Sequence, residues 1–301
     1  MTSSKPLVIW RFTDGKPGHE NQTLGLVMAL AEQADVKVYN IEPISTWQAA
    51  KHILKKSFPI QDRMSPTLII GAGHSTHLSV LAAQRSVGGQ SVILMKPSLP
   101  TALFNYCIVP QHDRCIFSRG IISTVGVLNR IQPSTKLDPD RGLILIGGPS
   151  AHYDWYDGAM LERIRMIVER DDKQWLLTSS RRTPDSFIAK LKQMALDNLT
   201  IRLAQDTAPD WLSDKLQYSA RVWISEDSVS MVYEALTSGA ACGLLPVQRK
   251  RENRVSAGVD KLIENGRLTS FDEWMRTGIL KVNETPLYEA RRVAEYLLKN
   301  I

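Results

Sequence analysis

Three side chains able to exchange protons near neutral pH, Asp14, His19 and Glu20, sit inside one short segment, TDGKPGHENQ at 13–22. Such a cluster suits general base catalysis, in which a positioned group takes the proton of an attacking hydroxyl. Gly15, Pro17 and Gly18 bend the chain around them. The same residues also suit a plain turn whose helix is capped by Glu20 or Asn21, and both readings stand here. A second segment, GAGHSTH at 71–77, places His74 and His77 three residues apart. Two imidazoles at that spacing hold a metal only with a further donor, none follows at a suitable distance, and no metal is expected. Ser75 there suits a helix cap, and His74 or His77 the wall of a cleft.

Other segments carry groups for an anion. GGPSAHYDWYD at 147–157 offers Gly148 and Ser150, and TSSRRTP at 178–184 offers Arg181 and Arg182. Glycine lets a backbone N–H approach a phosphate closely, and a guanidinium grips one with two parallel bonds. Two arginines beside a proline are equally a solvated helix entry. In SEDSVSMVYEALTSG at 225–239, Asp227 and Ser228 suit a helix start, with Val232, Ala235 and Leu236 on its buried face. Asp227, Ser230 and Glu234 then share another face, with a diphosphate expected at the helix start and ribose hydroxyls one turn along. QRKRENR at 248–254 suits phosphate, anionic lipid or plain solvation.

These segments need elements that hold them. Short β-rich runs alternate with stretches of helical period, the pattern of an α/β fold with parallel sheets. Strands are predicted at 7–12, 36–41, 67–70, 91–95 and 106–109, with helices around 24–31, 47–56 and 75–85 between them. QPSTKLDPDRG at 132–142 has the composition of a linker. Beyond it the pattern repeats, with strands at 143–146, 174–178, 221–224 and 242–247, helices around 160–168, 187–195 and 228–237, and an amphipathic helix after Asn283. Each chemically interesting segment therefore follows a predicted strand, and ligands of open α/β sheets bind at that end.

The composition narrows the partners. The chain has 301 residues, 37 Lys and Arg against 31 Asp and Glu, and a net charge of +6. That excess suits phosphate-bearing ligands or an anionic membrane face and is too small to indicate nucleic acid. The longest apolar run, 26–31, is far short of the roughly 20 residues of a membrane span, and the N-terminus lacks a secretory signal pattern. Cys107, Cys115 and Cys242 form no CxxC pair, so a cytoplasmic location with reduced thiols is expected, peripheral to the inner membrane at most. No GxxxxGK[ST], no GxGxxG after the first strand, no Tyr with Lys four residues on and no GxSxG occurs. P-loop kinases, short-chain-dehydrogenase epimerases and typical α/β-hydrolases are thereby disfavoured.

Taken in order, DGKPGHENQ, LIIGAG, LILIGGPSAHY, LTSSRRTP, SEDSVSMVYEA and VNET at 282–285 resemble the bacterial branch of the mitochondrial-fission "elongated mitochondria" protein family. The resemblance implies a GT-B glycosyltransferase-like fold, with two Rossmann-like domains facing across a cleft and a C-terminal helix crossing back to the first. On that basis 1–135 forms an acceptor-side domain completed by a crossing helix at 287–301, and 141–286 forms the nucleotide-sugar donor domain. Segment 225–239 is similar to the donor-site helix of the peptidoglycan N-acetylglucosaminyltransferase, in which a Glu binds the nucleotide ribose, and Glu234 matches it. The implied activity is metal-independent sugar transfer from a nucleotide sugar to a lipid-linked or saccharide acceptor in envelope synthesis, without a cofactor. Asp14 or Glu20 is then the expected base. Gly148, Ser150, Arg181, Arg182, Ser228 and Ser230 hold phosphates, and Gly15, Gly18, His19 and His74 line the cleft. The competing class is a non-catalytic adaptor, since plant members recruit a dynamin-like fission protein.

Overall fold

The protein is described as a computed structural model covering residues 5–59, 63–113, 119–170, 172–252 and 254–301. Cys115 and Asn253 lie outside the described residues. The chain forms two compact units, one made of Met1–Arg130 with Tyr288–Ile301 and the other of Ile131–Leu287.

In the first unit β1 (Leu7–Phe12), α1 (Pro17–Ala31), β2 (Val36–Ile41), α2 (Thr46–Lys55), β3 (Leu68–Ala72), α3 (His74–Val87), β4 (Gln90–Leu94), β5 (Tyr106–Pro110) and β6 (Ile121–Thr124) follow one another. The strands form one parallel sheet in the order β2-β1-β3-β4-β5-β6. Parallel strands joined by helices are covered on both faces, so their residues must be apolar in both directions. Along β1 the alternation sends Val8, Trp10 and Phe12 into one core with Phe58 and α3, while Ile9 enters another with Leu26 and Leu30 of α1.

The second unit contains β7 (Asp138–Leu145), α4 (Asp157–Glu169), β8 (Gln174–Thr178), α5 (Asp185–Gln193), β9 (Leu199–Arg202), α6 (Trp211–Leu216), β10 (Ser219–Ser225), α7 (Val229–Ser238), β11 (Ala241–Leu245), α8 (Arg254–Glu264), β12 (Thr269–Ser270) and α9 (Phe271–Thr277). Its sheet is also parallel, in the order β12-β11-β10-β7-β8-β9. Residues 132–142 are not all linker, because β7 begins at Asp138. The ladder accommodates Pro139, which has no N–H to donate, by a shift of register: Ser219 faces Asp138 while Arg221 faces Gly142. Asp138 and Asp140 are accordingly strand residues, paired with Arg141 and Lys173 at 3.0 and 2.7 Å.

The last helix, α10 (Glu289–Asn300), returns to the first unit. Ala290, Val293, Ala294 and Leu297 enter the α1 core. The Val125 N–H donates to Glu289 at 2.9 Å, and the Tyr106 hydroxyl donates to the Asn300 carbonyl at 3.1 Å.

Candidate functional site

A sheet whose strand order reverses leaves a crevice where the two connections diverge, at the carboxyl ends of the central strands. In the first unit the reversal lies between β1 and β3, and in the second between β7 and β10. The loops that leave those four strands are segments 13–16, 73, 146–156 and 226–228, and together with the first turns of α1, α3 and α7 they hold most of the chemically suggestive residues at two switch points.

At the first, α1 starts at Pro17 with Lys16 as its N-cap and no side-chain cap. Glu20 and Asn21 therefore lie inside the helix and do not cap it. Glu20 instead accepts from the Gly15 N–H at 3.0 Å, and its second oxygen lies 3.9 Å from Arg11. Arg11 is buried, with Nε on Thr23 at 2.8 Å, Nη1 on Asn40 at 3.1 Å and Nη2 on the Glu20 carbonyl at 3.0 Å. It ties β1 to the first turn of α1. Gly15 and Gly18 are exposed, and neither is crowded at the position a Cβ would take.

Asp14 is the hub. Its Oδ2 accepts from Ser75 Oγ at 2.6 Å and pairs with His19 Nδ1 at 2.9 Å, while Oδ1 accepts the Lys16 N–H at 3.2 Å. Burial pushes its carboxyl up, but the bonds from Ser75, His19 and Lys16, with the His19 charge, outweigh it and hold the pKa below the usual carboxylate value. A carboxylate so occupied is a weak proton acceptor. His19, held by Asp14 through Nδ1, keeps Nε2 for another partner once Nδ1 carries the proton. Ser75 is not the cap of α3, whose N-cap is Gly73. Gly73 has φ +80°, and a Cβ there would lie 2.2 Å from His19 Cε1, so glycine is needed for backbone and ring alike.

His74 is exposed at the start of α3. His77 is 3% exposed, packs on Phe104 and lies 3.3 Å from Ser98 Oγ. Burial, then repulsion from His74 and His19, depress its pKa to about 4. The unfolded chain thus takes up this proton first as pH falls. The stabilisation is full above about pH 6.5, the unfolded value, and shrinks toward pH 4, a loss of up to about 3 kcal/mol. Denaturation across that pH range is expected to show the slope in the wild type and to lose it in His77→Gln; an unchanged slope would place its origin elsewhere. Among the described residues no three His, Cys, Asp or Glu side chains gather as metal ligands.

At the second switch point, Gly147 N–H donates to Ser225 Oγ at 2.7 Å and Gly148 N–H donates to Asp227 Oδ2 at 2.9 Å. Arg182 completes the knot, with Nη2 on Asp227 Oδ2 at 2.8 Å and Nη1 on the Gly148 and Pro149 carbonyls at 2.7 and 3.1 Å. Asp227 has a fully buried side chain whose Oδ1 has no hydrogen-bond partner. It precedes α7 and turns toward Gly148 and Arg182, so it does not share a helix face with Ser230 and Glu234. Arg182 is likewise a strut between loops, whereas Arg181 is exposed and makes no ion pair or hydrogen bond among the described residues. Ser228 is the buried N-cap of α7 and makes no side-chain bond to the helix, leaving its first-turn N–H groups for an anion. Ser230 is exposed and Glu234 half-buried on α7. Ser150 accepts from the His152 N–H at 3.1 Å within its own turn.

The basic stretch 248–254 is partly spent inside the unit. Arg249 clamps Asp260 at 2.6 and 2.9 Å and reaches the buried Glu226, and Lys250 donates to the Ser150 carbonyl at 3.0 Å. Glu226, which sequence reasoning did not single out, also accepts from Tyr153 at 3.4 Å and lines a pocket of about 400 Å³ with Trp155, Tyr156, Met160 and Arg163.

Solved structures share this architecture. MurG of Acinetobacter baumannii covers 98% of this chain and 100% of its own at 13% identity, with a TM-score of 0.50. The UDP-GlcNAc 2-epimerase of Methanocaldococcus jannaschii gives 98% and 100% coverage, 14% identity and 0.60. That of Neisseria meningitidis, bound to UDP-GlcNAc, gives 97% and 100%, 10% and 0.57. The fold is the α/β, GT-B-like one with two Rossmann-like units. An uncharacterized protein of Rickettsia prowazekii is 22% identical over 350 residues, which is 96% of this chain and 97% of that protein. Residues 17–301 match the family described as mitochondrial fission ELM1, and the chain belongs to that family.

Proposed function

We propose that the protein is a metal-independent glycosyltransferase that uses a nucleotide-activated sugar, acting on a lipid-linked or saccharide acceptor in envelope polysaccharide or lipopolysaccharide synthesis. One observation carries the reading: at the β7/β10 switch point, where ligands of such sheets bind, α7 starts without a side-chain cap and leaves its first-turn N–H groups for an anion, while on the neighbouring loop after β8 the exposed Arg181 makes no ion pair or hydrogen bond among the described residues. A neighbour of the same fold holds UDP-GlcNAc.

In this mechanism the acceptor oxygen attacks the anomeric carbon as the bond from that carbon to the diphosphate breaks, its electron pair leaving on the nucleotide. The α7 N–H groups and Arg181 stabilise that charge, and the Glu234 carboxylate accepts the ribose hydroxyls. The base role passes from Asp14 to His19: Nε2 takes the acceptor proton, and Asp14 orients the ring and stabilises the imidazolium. Family membership supports a second reading, an adaptor of this fold without turnover.

Titration calorimetry with UDP in the presence of a chelator tests the choice. Binding at about 1 mM or tighter is expected, weakened by about 1–3 kcal/mol in Glu234→Ala. Arg181→Ala is expected to lose more affinity for the diphosphate than for uridine. Absence of heat with every nucleotide and nucleotide sugar would select the adaptor.

A further inference from the structure

We infer that α2 docks the first unit on an anionic lipid surface. Its capping box, in which Ser45 accepts from the Gln48 N–H and Gln48 accepts from the Ser45 N–H, fixes the start of the helix, and Lys56 ends it in the left-handed conformation. Ala49 is buried and Ile53 packs into the core beside Phe58, so the opposite face is set toward solvent. That face carries Trp47, 81% exposed, and Leu54, 85% exposed, two turns apart, with exposed Ala50 and Lys51 between them. Trp47 and Leu54 are the most exposed of the large apolar side chains among the described residues.

Charge chooses the occupant. Lys51, Lys55 and Lys56 are all exposed, and no Asp or Glu occurs between positions 43 and 61. A helix with apolar Trp and Leu on its outer face and lysines beside them matches the boundary between acyl chains and acidic headgroups. Phosphate or lipid was also a reading for the stretch 248–254, but Arg249 and Lys250 there are engaged internally, whereas these three lysines make no ion pair among the described residues. The inference rests on α2 alone and holds whether or not the second unit binds a nucleotide sugar.

Cosedimentation of the full chain with lipid vesicles, in the absence of nucleotide, tests it. Vesicles with about one-third phosphatidylglycerol are expected to bind at least about tenfold better than pure phosphatidylcholine, and added salt should weaken the binding. Trp47→Ala/Leu54→Ala should lower binding to the anionic vesicles by about tenfold or more, and Lys51→Glu/Lys55→Glu by about tenfold, with Tm unchanged because all four side chains are exposed. A blue shift of emission on binding should be reduced in Trp47→Phe. Equal binding to both vesicles, binding to neither, or variants that bind as wild type would overturn the inference. So would a wild-type dimer that Trp47→Ala/Leu54→Ala dissolves, since a second copy would then cover the face.

Discussion

His19→Ala is expected to lower sugar transfer by about 10²–10⁴-fold while the affinity for UDP stays unchanged. In the proposed mechanism the nucleotide is held by groups of the second unit, and the base belongs to the first. Asp14→Asn should also fall by at least about tenfold. An amide there donates to Nδ1, drives the proton onto Nε2 and blocks the atom that must accept the acceptor proton. Ser75→Ala removes only one of the three bonds to Asp14 and should cost far less. The assay is transfer of labelled sugar to envelope lipid extracts, with UDP calorimetry on each variant. A fully active His19→Ala alongside an inactive Glu20→Gln would move the base to Glu20, whose carboxylate is more open to solvent.

Gly147→Ala is expected to destabilise the second unit by about 3 kcal/mol or more. A Cβ at this position would lie 2.1 Å from Asp227 Oδ2, a contact that must open. Moving Asp227 breaks its bonds to the Gly148 N–H and Arg182 together and leaves buried polar groups without partners. For a unit of this size the loss corresponds to a Tm lower by roughly 6–12 °C. Asp227→Ala alone should also destabilise, but the double variant should be more stable than the sum of the two losses, because the clash disappears with the carboxylate. Strict additivity in a denaturation cycle would show that the crowding at Gly147 is relieved in some other way.

How legible these features were depended on the distance over which they are encoded. β1 and β8 read directly as apolar runs because a parallel sheet buries both faces, while β2, a largely exposed edge strand, was legible from its β-branched and aromatic residues. β6 and β9 escaped, since each has four residues and only partial burial. α6 and α9 are too short to display a helical period, and the prolines and aspartates that made 132–142 look like a linker hid the start of β7. The loops of the candidate site could be found because glycines, serines and histidines follow strands locally. The partners of those residues could not. Arg182 meets Asp227 across 45 positions, Gly148 meets Asp227 across 79, and Ser75 meets Asp14 across 61. Nothing local marks Arg182 as a strut and Arg181 as free, although they are adjacent and identical. Only the turn of the chain after Ser180, with its N–H on Thr183, separates their roles.

Because α10 supplies part of the core over α1, the first unit is interrupted in the chain by the whole of the second. During synthesis its sheet emerges early, yet Ala290, Val293, Ala294 and Leu297 follow only after the ribosome has added 131–287. At about 5–20 residues per second this delay lasts on the order of ten to thirty seconds. Throughout it Leu26 and Leu30 lack the cover that α10 gives them. The second unit, continuous in sequence, closes first. Completion of the first unit's core is thus tied to synthesis of α10, and a ribosome stalled before that helix would leave a complete second unit beside an unfinished first one.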